Sequence, residues 1–460
     1  MHFPLALARC CGALSVLILA PLAQESAPTP APLQVFVLAG QSNMLEMGTV
    51  RAGNTRHSDF YVSAEPEAER GLAVSAYAGA WSADADYDAL EAGATATVQM
   101  GGDAPFPSLA GPLTHVARGA VVVRESGTYS FAPGYGDSTH NSMELDGVEI
   151  YRKERGQAVS VQSQVELEAG VRYPVRITYF GAGWAPLWIR RHGLPGTLST
   201  LVHIEGKYAH LVDEEGDWVT RDDVHLHEAR IHHRGGPLAI GESFGPELGF
   251  GHVVGDALEA PVLLIKTAMG NRALAWDFRP PSAGPMPNRP EDTQWEGLEY
   301  RLMIEGVRGT LEQLDELVPG YAGQGYELAG FAWFQGHKDG GNAAWIAEYE
   351  QNLVHLIADV RRDLEAPELP VAVATVGFEG ADMPENYLAI RAAQLAVSGT
   401  SGRYPQHAGN VLSVDTRDYW RAVEESPRNQ GYHYHRNAET YLLVGEALGR
   451  AMVELLGLRD

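Results

Sequence analysis

The segment Leu33-Gln-Val-Phe-Val-Leu-Ala-Gly-Gln-Ser-Asn-Met44 decides how the rest of the chain is read. Its first half, Leu33 to Leu38, is a short apolar run of the kind that forms a strand buried on both faces. Ala39-Gly-Gln-Ser42 follows without a break, so a serine stands directly after a buried strand. In an α/β sheet that position is the mouth of the ligand site. Gly40 permits a sharp turn, and the amides around Ser42 can face an oxyanion at a helix N-terminus. Two roles for Ser42 are open at this level, nucleophile or cap of the following helix. The pattern is not the G-x-S-x-G elbow, because Met44 stands in place of the second glycine.

Runs of the same type recur at Val262–Lys266, Ala329–Phe334, Pro370–Val376 and Val411–Val414. Amphipathic stretches at Trp295–Leu317, Trp345–Leu364 and Ala438–Leu456 lie between or after them. Strands alternating with helices predict a parallel sheet of about five strands, covered on both faces. From about Gly71 to Arg191 the pattern changes. Gly127–Phe131, Glu144–Ile150, Val165–Gly170 and Tyr173–Tyr179 are short, alternate with period two and carry Asp-Gly and Ala-Gly turns. That describes antiparallel β-structure inserted into the α/β unit. The expected organisation is a first α/β part over 33–69, a β-sandwich over 70–192 and a second α/β part over 193–460.

The chain has 460 residues, 45% hydrophobic and 20% charged, a balance that excludes a wholly disordered polymer. Lys and Arg number 34 against 59 Asp and Glu, for a net charge of −25. Such a surface repels phosphate, which argues against nucleic-acid or anionic-membrane partners. His2 and Arg9 precede the apolar run Cys10–Leu22, with small residues at Ala20 and Ala23. We read residues 1–23 as a secretory signal peptide and 24–32 as a flexible Pro/Ala/Ser tether. The apolar run is shorter than the ~20 residues of a membrane span. The expectation is a secreted or periplasmic protein with no membrane insertion after signal removal. Both cysteines lie in this segment, so the mature chain would have no disulfide and no thiol chemistry.

His225-Leu-His227 and His232-His233 are expected in a solvated hairpin or loop, since no cysteine or third ligand accompanies them. Glu214-Glu-Gly-Asp217 reads as an exposed turn, and Trp184 and Trp188 as packing residues or a sugar platform.

Gly40-Gln-Ser-Asn-Met44 after a strand resembles the first block of the SGNH (GDSL-like) hydrolases, closest to the sialate O-acetylesterase and carbohydrate esterase family 6 branch. Phe244–Phe250 is similar to that branch's second block, and Leu263–Gly270 to its next strand and turn. Phe334-Gln-Gly-His-Lys-Asp339 resembles the third block and Gly431-Tyr-His-Tyr434 the last. The likeness covers residues 33–60 and about 200–458. It implies a flavodoxin-like three-layer fold and a serine esterase that removes O-acetyl or similar acyl groups from oligo- or polysaccharides, with no metal or organic cofactor. It also implies Ser42 as nucleophile and His433 as general base, with His435 as the alternative. The oxyanion would be held by the amides of Ser42 and Gly245 and by Gln335, because Lys338 stands where relatives have a donating asparagine. The acid that usually lies three residues before the histidine is missing, the position being Gln430 for His433 or Tyr432 for His435. Asp339 is the expected orienting acid, with Asp415 and Asp418 as alternatives and a Ser–His dyad as a third option. The inserted region resembles a PA14 domain, a module associated with glycan binding. Asp137-Ser138 falls where some members hold calcium, and a spacer or lid role is equally open. The competing class is a non-catalytic glycan-binding protein on the same scaffold.

Overall fold

The computed structural model describes residues 31–51, 59–79, 85–99, 107–133, 140–153, 164–180, 187–233, 235–287 and 293–458. The expected signal peptide, nearly all of the tether, Asp137-Ser138 and Trp184 lie outside the described residues. Val35 to Ala39 are fully buried, as an unbroken apolar run requires, and lie in β1 (Leu33–Gly40). β1 is central because strands pair in parallel on both its edges, β4 (Val262–Lys266) and β5 (Tyr326–Phe334). The sheet continues through β2 (Arg221–Glu228) and an antiparallel edge strand, β3 (Gly235–Leu238), on one side. On the other side come β6 (Val371–Ala374) and β7 (Val411–Val414), giving the order β3-β2-β4-β1-β5-β6-β7.

Six of these seven strands are parallel, one more than about five, and the additional strand is β2. The expected hairpin at 225–233 is present, with His232 and His233 exposed in its loop, and only the expected solvation of 225–227 is corrected. His225 is 5% exposed in a core strand, with β3 as its hairpin partner. The two histidines interrupt the apolar pattern, so a run test passes over them. The stretch Trp295–Leu317 is also broken in two, into α2 (Leu298–Leu311) and one turn at Leu314–Leu317.

α1 (Glu247–Ala257) and α5 (Ala438–Leu455) cross closely on one face of the sheet. A Cβ on Gly445 would stand 2.1 Å from the Pro246 carbonyl oxygen, so only glycine allows this approach. Phe250 of α1 meets Phe36 edge-on at 5.5 Å, and Met452 of α5 lies over Gly330 of β5. Side chains alternate along β5, so Trp333 points to the opposite face, where it meets Phe278. There α3 (Ala343–Asp363) packs with α2 through Tyr300 and Asp363, and with α4 (Glu385–Ala396) through Gln394 and Tyr349.

The inserted region is a pair of antiparallel sheets with seven and three strands. It has its own buried cluster, including Phe60, Val121, Phe131 and Ile177, separate from that of the α/β part. Its first strand, Asp59–Tyr61, pairs with Leu113–Val122, eleven residues ahead of the expected start at 70. The chain re-enters the α/β part where the Ser199 amide donates to the Val50 carbonyl at 2.8 Å.

Candidate active site

The site is built at the carboxyl end of β1, where Gly40 lies so close to β5 that a Cβ would sit 2.1 Å from the Phe334 carbonyl oxygen. The chain turns there into a single 3-10 turn, Ser42–Met44, with Ser42 8% exposed. Gln41, buried beneath it, accepts from Gln335 Nε2 at 3.1 Å and from the Lys338 amide at 3.2 Å. The turn of β1 and the turn of β5 are thereby one hydrogen-bonded unit.

The loop after β4 runs alongside. The Thr267 amide donates to the Leu38 carbonyl, and the Met269 amide to the Gly40 carbonyl at 3.2 Å. A Cβ on Gly270 would lie 3.8 Å from Ser42 Cβ. Among the described residues the Ser42 and Gly270 amides have no acceptor, and both border the serine side chain. Gly270 was within a stretch whose sequence suggested only strand and turn. The signal that could have found it is its place at the end of a buried strand beside β1.

Two expected oxyanion donors are corrected. Gln335 is buried, and its Nε2 already donates to Gln41 Oε1, the Arg272 carbonyl and Asp339 Oδ2. The Gly245 amide donates to Glu247 Oε1 at 2.7 Å. Glu247 also pairs with the buried Lys266 at 2.9 Å, with Glu228 3.7 Å away on its other side.

The histidine-bearing segment Gly431–Arg436 meets the serine turn. Asn43 Nδ2 donates to the Tyr432 carbonyl at 3.2 Å, and Tyr441 Oη lies 2.8 Å from Asn43 Oδ1 and 3.0 Å from the His433 carbonyl. His433 is partly buried, 4.5 Å ring to ring from Tyr432. Its Nδ1 is buried without a partner among the described residues. Desolvation, then the Arg436 and His337 charges, pushes its pKa down to about 4. His435 is differently employed. Its Nδ1 accepts from the Gln430 amide at 3.0 Å and its ring packs on Trp420.

Asp339 does not orient a histidine, a second correction. It is fully buried and accepts from the Leu274 and Ala275 amides, both at 2.9 Å, and from Gln335 at 2.6 Å. Desolvation raises its pKa to about 6 against those bonds. It anchors the loop that carries Gly270. The alternatives do not fill the role either. Asp415 is held by Arg391 and Arg417, with its pKa lowered by those bonds, and Asp418 is exposed. Among the described residues no carboxylate bonds to His433 or His435, and no group of three or more His, Cys, Asp or Glu could hold a metal ion.

A buried serine turn at the end of the central parallel strand, with a histidine turn bonded to it, has the form of an α/β ester hydrolase site. The family model for carbohydrate esterase, sialic acid-specific acetylesterase, matches residues 206–454, more than half of the chain, and the protein belongs to that family. It is a carbohydrate esterase acting on a glycan substrate. No curated protein matches the chain. Among solved structures, a carbohydrate acetylesterase from Xanthomonas citri is 12% identical, with 75% of this chain and 71% of that one covered and a TM-score of 0.37. A protein from Arabidopsis thaliana is 18% identical, covering 52% of this chain and 89% of its own, at a TM-score of 0.36. A PA14 sugar-binding domain from an RTX adhesin is 20% identical over 26% of this chain and 88% of its own, at a TM-score of 0.20.

Proposed function

We propose that the protein is a secreted O-acetylesterase of glycans, built on the three-layer SGNH fold and working through an acyl-enzyme. The observation that carries the reading is the pairing of the Ser42 and His433 turns at the carboxyl end of β1. Ser42 Oγ attacks the acetyl carbonyl while His433 takes its proton. The amides of Ser42 and Gly270 receive the oxyanion, since among the described residues neither has another acceptor. The tetrahedral intermediate collapses by breaking the bond to the sugar oxygen, which leaves with the proton from His433. Water, deprotonated by the same imidazole, then cleaves the acetyl ester of Ser42 and releases acetate. The inserted sandwich holds the polysaccharide, and residues 1–23 direct export.

The test is 4-nitrophenyl acetate and acetylated-glycan turnover by the mature protein beside Ser42→Ala. Loss confined to the variant supports the reading, and equal rates overturn it. That His433 Nδ1 has no partner among the described residues favours a second reading, a glycan-binding protein without turnover. Wild type that binds glycan and releases no acetate would establish it.

A further inference from the structure

We infer that Asn43 and Tyr441 are positioning residues that hold the histidine turn on the serine turn by its main chain, in place of an orienting carboxylate. The inference rests on the reading of Ser42 as nucleophile and His433 as base. Asn43 follows the serine and is 3% exposed, and both polar ends of its side chain face the other turn. Its Nδ2 donates to the Tyr432 carbonyl, and its Oδ1 accepts from the Tyr441 hydroxyl. That hydroxyl also lies within hydrogen-bond distance of the His433 carbonyl. The Tyr432 carbonyl is therefore bonded to Asn43 directly, and the His433 carbonyl faces the one Tyr441 hydroxyl that Asn43 Oδ1 shares. Tyr441 is fully buried in the first turn of α5, and burial holds its phenol well above its ordinary pKa, so it stays a donor.

The turn needs such a tie. Tyr434, His435 and Arg436 follow His433 with φ of 46°, 54° and 58°, three successive side-chain-bearing residues in the left-handed region. L-residues avoid that conformation unless their surroundings impose it. A carboxylate in a triad fixes the imidazole through Nδ1. Here nothing among the described residues bonds to Nδ1, so the ring's place follows from its backbone and from the Tyr432 ring against it.

The experiment compares kcat, KM and Tm with 4-nitrophenyl acetate for wild type, Ser42→Ala, Tyr441→Phe, Asn43→Ala and the double variant Asn43→Ala/Tyr441→Phe. Tyr441→Phe removes one oxygen and keeps the ring that packs on Tyr434. Each single variant should lower kcat by about tenfold or more, since small misplacements of a reacting group cost that much. KM should stay within about twofold, which separates lost positioning from lost binding. The double variant should depart from the product of the two single losses, because both residues hold one turn and share the Asn43–Tyr441 hydrogen bond. Should Asn43→Ala fail to fold, Asn43→Ser takes its place. Folded Tyr441→Phe with wild-type kcat, additive losses, or a change in KM alone would overturn the positioning role. Turnover surviving in Ser42→Ala would instead overturn the parent reading.

Discussion

In the proposed mechanism His433 is the base, and its neutral form is the one that would accept the serine proton. Burial, then the Arg436 and His337 charges, keeps it neutral above about pH 4. The base form is thus lost only as pH falls through that value. We expect kcat/KM to stay level from neutrality to about pH 5, with its acid limb near 4. An acid limb near the ordinary histidine value of about 6.5 would contradict the burial of this imidazole. Asp339 makes the complementary case. Asp339→Ala leaves the buried Leu274 and Ala275 amides without their acceptor. At about 1–3 kcal/mol for each unsatisfied donor, Tm should drop by several degrees. Turnover should fall with it because the Gly270 loop loses its anchor. Unchanged Tm would refute the anchoring role. Ser42, His433 and Asp339 all stood out as residue types in the sequence. Which of them is reactive and which is structural did not, because that depends on partners more than 60 residues away along the chain.

At the level of elements, two contacts hold the strand ends in register. Gly40→Ala would drive a Cβ into the Phe334 carbonyl and separate β1 from β5 where the serine turn begins. The expected result is a folded but inactive enzyme or an insoluble one, read by circular dichroism and ester turnover. Wild-type turnover would refute it. The buried Glu228–Lys266–Glu247 group joins the ends of β2 and β4 to the start of α1. Lys266→Ala strands two carboxylates away from water, which should cost about 3–5 kcal/mol in urea unfolding. A smaller loss would mean that solvent reaches the group. Strands β4 and β7 and helix α5 were legible almost to the residue, since unbroken apolar runs and 3.6-residue periodicity are local properties. β2 was not, because its place between β3 and β4 is earned by pairing and not by its own histidine-interrupted pattern.

At the scale of the whole molecule, two separate buried clusters predict two unfolding units. Calorimetry of the full chain should resolve two transitions. Joining Arg51 to Gly193 by a short linker should remove one of them, since the Val50–Ser199 hydrogen bond already brings the cut ends together. The shortened enzyme should still hydrolyse 4-nitrophenyl acetate while binding polysaccharide less tightly. A single cooperative transition in both chains would show that the clusters fold as one.

The sequence by itself determined the alternating α/β plan, the inserted β-region, the serine at the end of the first strand and the absence of an acid three residues before either histidine. These follow from hydrophobic period, turn chemistry and residue identity, which act over a few neighbours. Only the tertiary structure decided that Gln335 and the Gly245 amide are already engaged, that Gly270 borders Ser42, and that no carboxylate among the described residues bonds to His433. A hydrogen-bonding group is free or satisfied according to what the fold brings within about 3 Å of it, and that proximity is not encoded at the group's own position.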